Sequence, residues 1–186
     1  MYSQKKLFFA IGLIAVGIVT RYLLRDIPNV ETITAVTIVA GSLLGGVWGM
    51  IVGVATVAGS DMFIGNTSIL YYTWSAWAMV GAVSLMTRLF STTRTSRRVL
   101  AMTGVGLVSN LVFFAWTNFG VWHIGGLYPH TGAGLLESYI MALPFLRNQL
   151  LSTVVFVPAF GAAAIALWNA QSVRRERVAA VVATRQ

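Results

Sequence analysis

Two histidines, five acidic and thirteen basic residues are all the ionisable side chains in this 186-residue chain apart from tyrosine. His123, His130 and Glu137 recur at seven-residue intervals, and imidazole and carboxylate are zinc donors. A zinc-binding helix needs histidines at i and i+4 on one face. Gly125, Gly126, Pro129, Gly132 and Gly134 interrupt any helix here. An exposed loop is therefore the expectation, with a metal-dependent membrane enzyme as the rival. The absence of cysteine removes disulfides, thiolate metal sites and cysteine nucleophiles. No Ser–His–Asp arrangement or phosphate-binding loop stands out, so neither catalysis nor a cofactor is expected.

The remaining polar groups sit in apolar surroundings. Asp61 ends a charge-free run that starts after Glu31. A carboxylate there is costly unless it meets water, a partner or a ligand, and an interfacial cap for SDMFIGN is an equal alternative. Asn110 falls within an apolar stretch, where a hydrogen bond to another helix is the default. Asn118 is nearer the end of that stretch and better placed for a ligand. Arg147 precedes Asn148; it either reaches for the interface or offers its fork of donors to a carboxylate or phosphate. Among the tryptophans, Trp168 reads as an interfacial anchor, while Trp77 and Trp116 are also suited to stacking on a flat ligand. Gly45, Gly49 and Gly53 are spaced to bare one helix face for close packing.

The elements that position these groups follow from the composition. Only 10% of residues are charged and 57% are hydrophobic, against about 25% charged in a soluble domain. Too little charge remains to cover a surface in water, so lipid is the expected solvent. The net charge of +8 does not indicate nucleic acid, because the basic residues lie between apolar runs. A span takes about 20 apolar residues. Six are expected: Leu7–Leu24, Thr32–Leu44, Gly46–Met62, Ile69–Thr87, Val99–Val121 and Asn148–Asn169. The second is short and is expected to be tilted or sheltered by protein. Gly45-Gly46 marks a tight turn, and Pro158 a kink. The first run is read as an uncleaved span. Residues 1–170 thus form one all-α membrane domain, and 171–186 a basic tail, either a surface helix or disordered.

An even number of spans puts both ends on one side. Ten basic residues lie on the side of the termini and only Arg21, Arg25 and Arg147 on the other, so both termini are expected in the cytoplasm of a multi-pass cell-membrane protein. The longest outer segment, Trp122–Asn148, is rich in glycine, proline and aromatic residues. It is expected to fold over the bundle as an irregular lid.

Two stretches carry a resemblance. PNVETITAVTIVAGSLLGGVWGMIVGVATVAGSDMF, Pro28 to Phe63, resembles the early segment of substrate-binding S components of energy-coupling factor transporters. The shared features are a Pro-Asn outer turn, a glycine-rich hairpin, and an Asp near the outer end of the third helix. YPHTGAGLLESYIMALPFLRNQLLSTVVF, Tyr128 to Phe156, is similar to a related group of six-span membrane proteins. The resemblance implies capture of a vitamin-like solute from outside, and import powered by a scaffold subunit and two ATPase subunits. The Ala-x-x-x-Ala pair typical of the family's first helix is absent; Ala10, Gly12, Ala15 and Gly17 stand there instead. Ala10 and Gly17 are the expected scaffold contact, with Ala78 and Ala82 or Ala162 and Ala166 as substitutes. The N-terminal histidine of the metal-ion branch is also missing, which argues against nickel or cobalt as cargo. The expected ligand site comprises Asp61, Asn118, Trp122, His123, Tyr128, Glu137 and Arg147, with a non-transporting structural protein as a further alternative.

Overall fold

The computed structural model describes residues 2–45, 47–90 and 94–183, with side chains from 3 to 170 within those ranges. The fold is all-α. Among the described residues six α-helices follow one another: α1 (Tyr2–Leu23), α2 (Ile33–Leu43), α3 (Trp48–Ile64), α4 (Leu70–Val83), α5 (Thr95–Ile124) and α6 (Gly132–Ala183). A 3-10 helix, Ser84–Phe90, continues α4. Among the described residues three helices are long and apolar enough to cross a membrane: α1, α5, and α6 as far as Ala170. The outer surface suits that solvent, with Phe8, Val19, Leu111, Leu151 and Val155 exposed. Polar side chains turn inward: Thr34, Thr37, Ser109, Asn110, Gln149 and Thr153 are buried.

The shortest α-helix is the innermost. α2 has 11 residues, about 16 Å at 1.5 Å per residue, roughly half a bilayer core. Ten of its residues are buried, and every other helix packs against it. Its sequence, ITAVTIVAGSL, offers no charge and no strongly polar face, which is how a helix buried on all sides reads. Protein, not lipid, shelters it.

Small residues let α2, α3 and α4 meet at backbone distance. A Cβ on Gly81 would lie 2.4 Å from the Met50 backbone. One on Gly49 would lie 2.8 Å from the Gly81 carbonyl oxygen, and one on Gly53 3.1 Å from that of Trp77. Gly45 does not share this face. It sits before α3, in the turn, with φ +70° and the Arg88 guanidinium against it. Its partner in the expected turn, Gly46, lies outside the described residues.

Cross-helix bonds fix which ends lie together. At the end holding the N-terminus, here called proximal, Lys6 Nζ donates to the Leu44 carbonyl (2.7 Å) and Arg98 to that of Ser42 (2.7 Å). Both cations meet the negative end of the α2 dipole. Lys5 donates to the Trp168 carbonyl (3.0 Å) and lies over the Trp168 ring. The opposite, distal end gathers the α1–α2, α3–α4 and α5–α6 connections.

Three expectations are corrected. Trp122–Asn148 is not an irregular lid: α5 runs to Ile124, α6 starts at Gly132, and only seven residues, 125–131, connect them. Thr131 caps α6, its hydroxyl accepting the Gly134 N–H at 3.1 Å. Gly132 and Gly134 fall in the first turn, where a Cβ on Gly134 would sit 2.1 Å from the Pro129 carbonyl oxygen; they fit the entry instead of breaking the helix. Second, Ala10 and Gly17 do not face outward. Ala10 is 1% exposed, and a Cβ on Gly17 would meet Thr56 at 2.6 Å and Val36 at 3.1 Å. Among the other small residues, Ala82, Ala162 and Ala166 are exposed and Ala78 is half-buried. Third, the backbone of 171–183 continues α6, so the tail is not a separate helix. Arg185 and the side chains of Arg174, Arg175 and Arg177 lie outside the described residues.

Candidate functional site

A cavity of about 570 Å³ opens at the distal end. Its walls follow from the packing above. Because α2 is short and central, its neighbours rise past its first residue and leave space above Ile33. Arg21 enters from α1 and Leu24 from just past its end, Trp77 and Thr73 from α4, and Phe113, Phe114, Thr117 and Asn118 from α5. Ser138, Met141, Phe145 and Gln149 come from α6. Ile27 to Glu31 bound it along the α1–α2 connection, and Leu127 and Tyr128 along the α5–α6 connection. Most of this surface is aromatic or aliphatic, with a few polar atoms set into it.

The α1–α2 edge is tied down. Asn29 takes φ 56°, a left-handed conformation that asparagine tolerates better than most residues. The preceding Pro28 carbonyl accepts the Asn148 side-chain N–H at 3.0 Å. The Glu31 carboxylate accepts the Thr34 N–H at 2.9 Å and the Thr34 hydroxyl. Its place in the α1–α2 connection is desolvated, and burial raises its pKa above the ordinary value, with the Thr34 bonds and Arg21 opposing the rise. Below it the polar chain continues. The Thr34 hydroxyl reaches Asn110 Oδ1 (3.3 Å), and Asn110 Nδ2 donates to Thr153 Oγ1 (2.7 Å) and to the Gln149 carbonyl (3.2 Å). Asn110 is thus the helix-to-helix linker expected of a buried amide.

Of the seven expected site residues, Asn118 and Tyr128 line the cavity. Asn118 Nδ2 donates to the Phe114 carbonyl at 2.8 Å, leaving its oxygen toward other donors. Asp61 lies behind the wall, where its Oδ1 accepts Arg21 Nη1 at 2.7 Å. Its Oδ2 accepts Trp74 Nε1 (2.8 Å) and Asn66 Nδ2 (2.9 Å). It holds Arg21 in place. Trp122 is half-buried and donates to the Pro129 carbonyl (3.0 Å). His123 is exposed, with Nδ1 2.7 Å from the Tyr72 hydroxyl. Glu137 is exposed on α6. Arg147 is also exposed, in a shallow apolar groove with Leu143, Leu146, Leu150 and Leu151. Among the described residues no three His, Cys, Asp or Glu side chains come together as a metal site.

Trp77, suited by type to stacking, is at the cavity and 3% exposed. Trp116 instead donates to Ser75 Oγ at 2.8 Å. Arg21, Glu31, Thr117 and Gln149 were not expected in the site. In the sequence Arg21 and Glu31 read as flanks of apolar runs. The available signal was that Glu31 precedes Thr34 by three residues, the spacing of a side chain that caps a helix and so faces its end.

The chain belongs to a family of unknown function (DUF6580), whose model matches residues 1–178. No curated protein and no solved structure matches it.

Proposed function

We propose that this chain captures a small organic solute at the outer face of a cell membrane, as the substrate-specific subunit of an energy-coupling-factor type importer. The distal cavity carries the reading. Its volume of about 570 Å³ lies within the range of about 300–1,000 Å³ for small-molecule sites. Its mix of apolar wall and few polar groups is the usual lining of such sites. The asymmetry of basic residues favours the distal end as outside and both termini as cytoplasmic. The helices then cross the bilayer six times, α2 within a sheath of protein. No phosphate-binding loop stands out in the sequence, so concentrative uptake would draw on a scaffold subunit and two ATPases, as the resemblance implies.

Native mass spectrometry of the protein extracted in mild detergent tests this reading. The expected result is one non-lipid solute per chain, lost on Trp77→Ala with Asn118→Ala. Folded protein carrying only lipid, and stabilised by no member of a vitamin and metabolite library, would overturn it. Full uptake in vesicles by this chain alone would keep the capture and remove the coupling partners.

A further inference from the structure

The cavity's charges do not balance from within. Arg21 is committed to Asp61 (2.7 Å), with further bonds to Ser60 and the Val57 carbonyl. Arg25 lies at the rim, over the Tyr22 ring, with Asp26 at 3.8 Å. Glu31 has no ion-pair partner among the described residues. Its carboxylate accepts the Thr34 N–H and hydroxyl and is bonded by the Ile33 backbone N–H as well, while a carboxylate accepts about four hydrogen bonds. Aromatic surface lies in the same cavity: the Trp77 and Phe113 rings meet at 4.7 Å, and both line the space that Glu31 borders.

We propose that the solute is an amphipathic organic cation, whose protonated amine or amidinium pairs with Glu31 and whose ring packs against Trp77 and Phe113. This deepens the solute-capture reading and rests on it. An anionic solute would bring its charge beside an unpaired carboxylate, and the one arginine free of a buried partner is out at the rim. A bare inorganic cation would find a single carboxylate amid apolar wall, too few oxygen donors to replace its water. An organic cation satisfies both halves of the surface, since an ammonium near aromatic faces gains further attraction.

The test uses three solutes of one shape and different charge: tryptamine, tryptophol and indole-3-propionate. Each is titrated calorimetrically into the full chain in zwitterionic-lipid nanodiscs, with empty nanodiscs subtracted. Tryptamine is expected to bind at least about tenfold more tightly than tryptophol, and indole-3-propionate most weakly. Glu31→Gln should erase the advantage of tryptamine and leave tryptophol unchanged, whereas Glu31→Asp, checked for folding by its melting profile, should keep part of it. Trp77→Leu should weaken all three alike. Tightest binding of the anion, or a preference for tryptamine that survives Glu31→Gln, overturns the assignment. Equal binding of all three overturns the cation class and leaves capture standing. No binding by any of them overturns the assignment of an aromatic organic cation to this cavity, and the capture reading is then decided by the native mass spectrometry above.

Discussion

Of the carboxylates near the distal end, Asp61 and Glu31 are not exposed, and what answers their charge separates them. Asp61 has a guanidinium, an indole N–H and an amide N–H. Removing it should strand Arg21 near three helices. A buried pair broken on one side costs about 3–5 kcal/mol; Arg21 keeps a quarter of its side-chain surface, which lowers the expectation to about 2 kcal/mol. Asp61→Ala should therefore lower the melting temperature in detergent, and Arg21→Met with Asp61→Leu should recover much of the loss. A double variant as unstable as the single one would deny the pair this role. Glu31 goes the other way. Its folded pKa lies above the ordinary value of 4.5, so folding favours the protonated form. Its contribution is most favourable below 4.5 and is lost as pH rises through the raised value. Arg21 is the only charged neighbour opposing that rise. Glu31→Gln keeps an acceptor for Thr34 and should melt higher than the native chain at pH 7, in the absence of solute. It should lose that advantage toward pH 4. An unchanged or lower melting point at pH 7 would mean the charge is already well solvated.

At the scale of elements, the helices were legible wherever charge and glycine kept to the ends. Between Glu31 and Asp61 there is no charge, and the division of that run into two helices follows from its length and from the Gly45-Gly46 pair. The α5–α6 region misled for a physical reason. Glycine and proline mark breaks by their average cost, but Gly132 and Gly134 occupy a first turn that passes close to Pro129, and Pro144 and Pro158 lie inside α6. Nor was the cavity legible, because it depends on α2 being shorter than its neighbours and on which residues of the surrounding helices face the gap. The α3–α4 contact gives an element-scale prediction. Gly81→Ala places a methyl against backbone of α3, which cannot swing aside; overpacking of this kind costs about 1–3 kcal/mol. Gly104→Ala, with nothing within 4 Å of the new methyl, should be neutral. Thermal melts of both variants side by side check this. Equal melting would mean that the α3–α4 crossing relaxes freely.

For the whole molecule, the proposal stands or falls on which face of the membrane the cavity meets. Arg88, Arg94, Arg97 and Arg98, with Lys5 and Lys6, lie at the proximal end of the bundle, while the distal end has Arg21, Arg25 and, further along α6, Arg147. Positive charge is retained in the cytoplasm, so the distal cavity should face out. The chain has no cysteine, which permits a clean single-cysteine test. His130→Cys suits the distal side better than a change at Thr131, whose hydroxyl caps α6; His130 is exposed in the α5–α6 connection. Ser3→Cys and Ser172→Cys report the other side. In intact cells an impermeant maleimide should label the His130→Cys protein and spare the other two, and permeabilised cells should label all three. Labelling at Ser3→Cys and Ser172→Cys with protection at His130→Cys would invert the molecule. The cavity would then open to the cytoplasm, where a subunit that captures solute from outside could not use it.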